Sequence, residues 1–353
     1  MVVNSLREAL VVIPSLHKRW SGINSVIWTT TPAIAAAMPT AAIGYHFPPG
    51  ITALPFAQLL AQGWSRPDGA RRRVWHARRN NDMIIGVLLR DVLRQPWALV
   101  FTREGRGTSG RFTRFLLGRM DHIIATSRPA LPRDGEPASV IPHGVDMDRF
   151  HPAPDRAAAW AETGLPGARG IGVFGRIRPN KGTDLFVDAM IALLPQHPGW
   201  TAIVTGEAVG EENQRFLAAM QARVAEAGLT DRIHFLGLLE GARMPALFRA
   251  ISVYVAPQRR EEFGLTPLEA MASGTAVVAT RTGAAPDLVR DGSTGTLIAP
   301  DDGAALQGAL APLLADPARA EAMGVEGRRV ALAEHSAEAE NQAVAALYRK
   351  VSA

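Results

Sequence analysis

The sequence predicts an α/β protein with two doubly wound parallel-sheet domains in tandem, and three observations carry this prediction. Short apolar or β-branched runs alternate with stretches of helical spacing, which is typical of βαβ units. The 353 residues exceed one ordinary core, and a content of 47% hydrophobic and 20% charged residues indicates a globular protein. The alternation is interrupted once, by a segment rich in proline, and then begins again.

In the first half, five runs read as strands and two stretches have helical spacing. The predicted strands cover 9–14, 41–46, 72–77, 98–102 and 121–127, and the predicted helices cover 81–93 and 109–120. The segment IPHGVDMDRFHPAPDRA, residues 141–157, holds three prolines and a glycine and therefore predicts a linker.

The second half repeats the pattern after the linker. The predicted strands cover 170–177, 200–207, 232–237, 253–258, 276–280 and 295–300, and the longest predicted helices cover 183–194 and 211–228. Ligands of doubly wound sheets bind beyond the carboxyl ends of the strands, so the loops there are the first candidates for a site.

The cysteine content and the N-terminal sequence indicate where in the cell the protein is expected. The chain has no cysteine, which excludes disulfides and thiolate metal sites and fits a reducing compartment. The N-terminus lacks the pattern of a secretory signal, and the alanine-rich stretch 29–44 is short and interrupted by proline. We therefore expect a soluble, cytoplasmic protein.

Charge is unevenly distributed between the two halves. Residues 1–150 hold 19 Lys and Arg against 10 Asp and Glu, whereas the remainder holds 19 against 23. A basic first half indicates an anionic partner: nucleic acid, a phosphorylated ligand or a membrane surface. Solvated arginines on helix faces are the alternative explanation. No known nucleic-acid-binding motif is present, so we expect no nucleic acid.

The loop GRIRPNKG, residues 175–182, lies between a predicted strand and a predicted helix. Arg176 can hold a diphosphate by its bidentate fork and Lys181 as a point charge, beside the free N–H groups of the helix N-terminus. The loop lacks the order of a Walker A motif. Each cation alone could simply be solvated, but the flanking glycines favour a phosphate site. Gly206 ends the next strand and permits close approach of the backbone.

Two carboxylates stand in unusually apolar surroundings in RREEFGLTPLEAMASG, residues 259–274. Pro267 predicts a helix that begins just before it, with free backbone N–H groups near Gly264, Leu265 and Thr266. Side chains of a helix tilt toward its N-terminus, so Glu269 points toward the loop that carries Glu261. Carboxylates accept hydrogen bonds from sugar hydroxyls. The spacing therefore predicts that both acids meet one ligand.

These motifs resemble those of family 4 glycosyltransferases, which have the GT-B fold. The pair Glu261 and Glu269 resembles their E-x7-E signature, GRIRPNKG their donor-phosphate loop, and RTGAAPDLVRDGSTGTLIAP the segment after the signature. In the first half, KRWSGINSVI is similar to their N-terminal glycine loop. Residues 74–102 with DHIIATS are similar to lipopolysaccharide core mannosyltransferases of alphaproteobacteria.

The resemblance implies a role for each matching residue. Arg176 and Lys181 bind the donor diphosphate, Glu269 binds the nucleotide ribose, and Glu261 contacts the transferred sugar. Gly22 lets the N-terminal loop approach the diphosphate. The implied reaction retains the anomeric configuration and uses no metal or other cofactor, and GDP-mannose is the expected donor. UDP-glucose and UDP-N-acetylglucosamine remain alternatives.

The resemblance also implies how the chain is divided. An acceptor-side domain comprises residues 1–145 and is joined by the C-terminal helix 337–353, and a donor-binding domain comprises residues 150–336. Lipopolysaccharide core or a related glycolipid is the implied acceptor. We expect peripheral association with the anionic inner membrane through charge alone, without an inserted segment. The candidate arginines are Arg71, Arg72, Arg73, Arg103, Arg106, Arg111 and Arg114.

The sequence departs from the family pattern at three places. Glu262 stands where a small residue is usual, so the register of the acids rests on spacing. The histidine common after the strand at 98–102 is absent, and His76 is a candidate catalytic substitute or, equally, a structural histidine. His143 replaces a usual asparagine and predicts a packing role.

The competing functions are a sensor that binds a nucleotide sugar without turnover, an epimerase and a phosphorylase.

Overall fold

The computed structural model describes residues 1–18, 22–105, 110–132, 135–239 and 243–353. It divides into two compact units. Unit 1 comprises Met1–Gly144 together with Ala337–Ala353, and unit 2 comprises Val145–Ser336. Each unit is a parallel sheet covered by helices on both faces.

Unit 1 contains a seven-stranded sheet whose strand order is β3-β2-β1-β4-β5-β6-β7, with every pair parallel. The order reverses direction beside β1, as in doubly wound folds. The strands are β1 (Val11–Ser15), β2 (Thr40–Gly44), β3 (Ala53–Leu54), β4 (Arg73–Ala77), β5 (Trp97–Arg103), β6 (His122–Ala125) and β7 (Ala138–Val140).

The helices of unit 1 form two layers. Residues of α2, α3 and α4 pack on one face around Trp75 and Trp97, whose rings meet edge to face at 5.7 Å. Residues of α1 and α13 pack on the other face. The helices are α1 (Gly22–Ala37), α2 (Ala57–Gln62), α3 (Asn80–Val87), α4 (Arg111–Leu117) and, at the end of the chain, α13 (Ala337–Ser352).

Unit 2 contains a six-stranded sheet of order β10-β9-β8-β11-β12-β13, again parallel throughout. The strands are β8 (Arg169–Phe174), β9 (Trp200–Thr205), β10 (Ile233–Gly237), β11 (Ile251–Ala256), β12 (Ala276–Thr280) and β13 (Gly295–Ile298). The helices are α5 (Arg156–Ala161), α6 (Thr183–Leu193), α7 (Glu211–Glu226), α8 (Arg243–Ala250), α9 (Leu265–Ala272), α10 (Ala285–Leu288), α11 (Gly303–Ala315) and α12 (Pro317–Glu334).

The predicted doubly wound architecture is confirmed, with small differences in the elements. The predicted helix 81–93 is α3 followed by a π-helical turn, Leu88–Val92. The predicted helix 109–120 is shorter, because α4 ends at Leu117 and Gly118 follows as its C-cap. Strands β3 and β7 were not predicted, because two or three residues carry too little periodicity.

The C-terminal helix α13 is anchored to the sheet of unit 1 by a buried polar contact. His76 on β4 and Tyr348 on α13 are both fully buried, and the tyrosine hydroxyl hydrogen-bonds Nδ1 of His76. The other ring nitrogen, Nε2, lies 2.6 Å from Oγ1 of Thr102. Burial, with the charges of Arg78 and His143, holds the pKa of His76 well below its ordinary value. The neutral ring therefore joins α13 to two strands.

We predict that Tyr348→Phe lowers the free energy of unfolding by about 1–3 kcal/mol, because a buried nitrogen of His76 loses its partner. Urea denaturation measures the change. Tyr45→Phe is the matched control, since Tyr45 is exposed. Equal stability of the two variants would contradict the anchoring role.

Candidate functional site

The strand order of unit 2 reverses between β8 and β11, and the loops after these two strands carry the predicted donor residues. The first loop runs from Gly175 to Gly182, and the second runs from Pro257 to Gly264. Because both strands end at the same edge of a parallel sheet, the two loops meet at the switch point, the preferred ligand position of doubly wound folds.

Glycines permit this close approach of the loops. A Cβ on Gly206 would lie 1.7 Å from the carbonyl oxygen of Gly175, and one on Gly182 would lie 2.0 Å from that of Pro257. Both glycines also have positive φ, 137° and 69° respectively. Any side chain there would push the loops apart.

The structure brings together two residues for which the family resemblance implies separate roles. The ammonium group of Lys181 forms an ion pair with Oε2 of Glu261, and both side chains are about one-fifth exposed. Arg176, from the same loop as Lys181, is exposed, and its guanidinium makes no hydrogen bond or ion pair within the described residues. Lys181 is therefore paired to a carboxylate, whereas Arg176 has no partner among the described residues.

Arg259 fixes the relative position of the two loops, a role that was not predicted from the sequence. Its Nη1 and Nη2 donate to the two carboxylate oxygens of Asp184, each at 2.8 Å, and its Nε donates to Asp301 at 2.6 Å. Its backbone N–H donates to the carbonyl of Asn180 at 3.0 Å. Two features of the sequence could have indicated this role. Arg259 directly follows the predicted strand 253–258, and Asp184 is an acidic residue in the first turn of α6.

The N-terminus of α9 provides the predicted backbone groups. Gly264 is its N-cap with φ of 85°, and Gly264, Leu265 and Thr266 all keep partial exposure. A Cβ on Gly264 would lie 3.1 Å from Cγ of Glu261, so the absence of a side chain leaves room for that acid. Glu262 is exposed, whereas Glu261 is held against the glycine. This geometry favours Glu261 over Glu262 as the acid that faces the ligand.

Glu269, on α9, is partly buried, and its carboxylate has no hydrogen-bond partner within the described part of the chain. Burial raises its pKa to about 7, and the charge of Arg149 opposes the rise only in part. A carboxylate without a protein partner can accept hydrogen bonds from the hydroxyls of a ligand.

The candidate residues of unit 1 differ in their burial and in their hydrogen-bond partners. Gly22 is the first residue of α1, and Arg106 lies outside the described residues. His76 has both ring nitrogens engaged by protein groups and no exposed surface, which favours its structural alternative. His143 is buried and contacts Glu340 at 2.8 Å, in agreement with a packing role.

The arginines predicted to face an anionic surface fall into two groups. Arg111 and Arg114 are exposed on α4, and Arg103 ends β5 with partial exposure. Arg73 is a correction, because it is fully buried and donates to the carbonyls of Ala9 and Ser65.

Arg72 is also engaged within unit 1, because it pairs with Asp121 at 2.6 Å. Within the described residues, no helix is long and apolar enough to cross a membrane.

The chain is similar to known proteins over part and over nearly all of its length. The family model described as "Glycosyl transferases group 1" matches residues 168–316. The lipopolysaccharide core biosynthesis mannosyltransferase LpcC of Rhizobium leguminosarum bv. viciae is 44% identical over 98% of this chain and 97% of its own. The chain is a group 1 glycosyltransferase. The corresponding LpsB protein of Rhizobium meliloti is 43% identical over 98% of this chain and 99% of its own.

Solved structures confirm the GT-B fold of this glycosyltransferase. The C-terminal domain of LpcC from Francisella tularensis, 36% identical, covers 55% of this chain and 99% of its own with a TM-score of 0.53. Sucrose-phosphate synthase from Thermosynechococcus elongatus, 23% identical, superposes over 97% of this chain and 98% of its own with a TM-score of 0.79. HepE of Anabaena, solved in complex with UDP-glucose and 20% identical, covers 96% and 99% with a TM-score of 0.76.

We predict that Arg259→Lys weakens the binding of a nucleoside diphosphate about tenfold, because a point charge cannot bridge Asp184 and Asp301 and the loop of Arg176 and Lys181 loses its fixed position. Calorimetry measures the affinity. Arg215→Lys is the control, since Arg215 is an exposed arginine that pairs with Glu211 on α7. Unchanged affinity in Arg259→Lys would show that its ion pairs do not position the loop.

Proposed function

We propose that this glycosyltransferase moves mannose from GDP-mannose onto a lipopolysaccharide core or related glycolipid, with retention of anomeric configuration and without a metal ion. The observation that carries the proposal is the group formed by Arg176, Lys181, Glu261 and Glu269 around the switch point of unit 2. The names of the two Rhizobium relatives supply the sugar and the acceptor class.

The donor-binding roles follow from the chemistry of the four side chains. The unpaired guanidinium of Arg176 suits the oxygens of a diphosphate, which accept bidentate hydrogen bonds. Glu269 has the free carboxylate that a ribose diol requires. The backbone N–H groups of Leu265 and Thr266 would donate to the phosphates and sugar, and Gly206 would allow the neighbouring loop to lie close to them.

When the donor binds, its diphosphate replaces Glu261 as the partner of Lys181. A diphosphate carries more negative charge than one carboxylate, so it competes for the ammonium group of Lys181. Glu261 then has its oxygens available for hydroxyls of the transferred sugar. Arg176 and Lys181 also stabilise the negative charge that develops on the leaving diphosphate. This is electrostatic catalysis by groups already in place.

Product formation with a panel of nucleotide sugars tests the proposal. We expect turnover with GDP-mannose and truncated lipopolysaccharide core in the presence of a metal chelator. Turnover only with UDP-glucose or UDP-N-acetylglucosamine would overturn the donor assignment. Tight nucleotide binding without turnover of any donor would overturn the enzymatic proposal in favour of a nucleotide-sugar sensor.

The two acids should separate in kinetics. Glu261→Gln should lower kcat more than nucleotide affinity, because the contact it alters is with the sugar. Glu269→Gln should weaken nucleotide binding by about 1.5–3 kcal/mol, because a charged acceptor for the ribose is lost. Steady-state kinetics and GDP calorimetry measure the two effects. A larger kcat defect in Glu262→Gln than in Glu261→Gln would show that the register of the signature is wrong.

Nucleotide affinity should rise with pH through the pKa of Glu269. That pKa is raised to about 7, so the carboxylate is mostly protonated at pH 6 and mostly ionised at pH 8. If the ribose binds the ionised form, GDP affinity increases roughly tenfold over this interval. GDP titrates as well, so the measured quantity is the affinity ratio of the wild type to Glu269→Gln. A ratio that does not change with pH would exclude the ionised acid from the ribose contact.

Helix α4 supports the further proposal of docking to an anionic membrane. Phe112 and Phe115 are 59% and 52% exposed and stand three residues apart, as do Arg111 and Arg114. The guanidinium of Arg119 lies 5.2 Å from the ring of Phe115. An exposed face of aromatic and basic residues is typical of interfacial binding. The phenylalanines revise the expectation of docking by charge alone, because they add a contribution that salt does not screen.

Sedimentation with anionic and neutral vesicles tests this docking over a salt series. We expect binding to anionic vesicles that weakens with salt, at about 1 kcal/mol for each arginine near the surface. Phe112→Ser combined with Phe115→Ser should remove the part that survives high salt. Val325→Ser is the control, as an exposed apolar residue of unit 2. Equal binding to both vesicle types, or to neither, would contradict the proposal.

A further inference from the structure

Unit 1 has a switch point of its own, between β1 and β4. Strand β1 ends at Ser15, and β4 ends at Ala77. Arg78 and Arg79 follow β4 directly, so both stand at the carboxyl edge of the sheet where doubly wound folds bind ligands. The E-x7-E signature and the donor loop lie in unit 2, and neither accounts for these arginines.

Arg78 is a buried cation with unused hydrogen-bond donors. The residue is 6% exposed, and its Nη2 donates to Oγ1 of Thr30 at 3.2 Å. Its Nε and Nη1 are buried and have no hydrogen-bond partner within the described residues. Leaving donors of a charged group buried and unpaired is costly, so such groups generally serve a ligand, water or ion.

The surrounding residues hold this turn in a fixed conformation. Oδ2 of Asp82 accepts the backbone N–H groups of Arg78 and Arg79 at 3.2 and 3.0 Å. Nη2 of Arg79 donates to Oδ1 of Asn24 at 2.8 Å, and Asn24 donates in turn to Oγ of Ser15 at 3.2 Å. Both arginines therefore reach toward α1 from one rigid turn, so little ordering would be required when a ligand binds.

Glu104 is a nearby carboxylate, but it is already engaged elsewhere. Nε2 of His143 lies 3.6 Å from Glu104, and Nδ1 of His143 lies 2.8 Å from Glu340. Burial alone would lower the pKa of His143, but the two glutamates outweigh it and raise that pKa to about 9. At neutral pH the protonated His143 is thus the charge partner of both acids. Burial raises the pKa of Glu104, but His143, and less strongly the charges of Arg78 and Arg79, lower it overall. Glu104 forms no hydrogen bond with Arg78.

We propose that Arg78, assisted by Arg79, binds an anionic group of the acceptor, a carboxylate or a phosphate, at the switch point of unit 1. The guanidinium fork matches the paired oxygens that both groups present. This inference rests on the proposed transfer to a lipopolysaccharide core. It adds a recognition element in unit 1 that selects acidic acceptors over neutral glycans.

Calorimetry without donor tests the site with a truncated core oligosaccharide in three forms: untreated, with its carboxyl groups amidated, and dephosphorylated. We expect wild type to bind one modified form about tenfold more weakly than the untreated form, which identifies the anionic group. Arg78→Gln should bind the untreated form as weakly as that modified form and should no longer distinguish the two. Wild-type affinity that is equal for all three forms would overturn the proposal.

Two further variants separate recognition from a structural role. Arg78→Lys keeps the charge but loses the fork, so it should discriminate less than wild type and more than Arg78→Gln. Thr30→Val removes only the hydrogen bond to Nη2 and should keep the discrimination of wild type. If Thr30→Val loses discrimination as fully as Arg78→Gln, distortion of α1 explains the effect and the proposal is wrong.

This experiment is independent of the donor. Binding that depends on Arg78, together with no transfer from GDP-mannose, would refute the proposed donor and leave the anion site standing. Transfer from GDP-mannose with wild-type discrimination in Arg78→Gln would refute the anion site alone.

Discussion

Arg259 holds together the two loops of the proposed donor site. Its guanidinium binds both oxygens of Asp184 and one of Asp301, so its charge and its fork are both used. These ion pairs, and hydrogen bonds with Asp184 above all, raise the pKa of Arg259 above its ordinary value. The loop of Arg176 and Lys181 is thereby fixed against the loop of Glu261 before any ligand arrives. Preorganised charges of this kind need no rearrangement of the backbone during the reaction.

Each unit has cations at the switch point of its sheet, but these cations differ in exposure and in pairing. In unit 2, Arg176 is exposed and Lys181 shares its charge with Glu261, which suits a donor that binds and leaves repeatedly. In unit 1, Arg78 is buried and has donors that no described residue accepts, which suits a ligand with matching acceptor oxygens. The charge excess of the first half is therefore only partly a surface property, since Arg73 and Arg78 belong to the interior.

The sequence predicted the architecture well because doubly wound domains repeat one local pattern, and the regular alternation of β8, α6 and β9 is long enough to read. The sequence also predicted that the loop 175–182 and the segment with both acids follow the ends of strands, since each pattern of strand, loop and helix is local. The pairing of Lys181 with Glu261 could not be predicted, because it joins residues 80 positions apart. The burial of Arg73 and Arg78 was missed for the same reason: a charged residue next to a strand reads as surface until the packing around it is known.

We propose transfer of mannose with retention, and the anomeric configuration of the product is the direct test. The enzyme would be incubated with GDP-mannose and truncated lipopolysaccharide core, and the one-bond carbon–hydrogen coupling at the new anomeric centre would be measured by nuclear magnetic resonance. GDP-mannose is an α-mannoside, so retention predicts a product with an α-linked mannose. A β-linked product would contradict retention and the roles assigned to Glu261 and the diphosphate-binding cations.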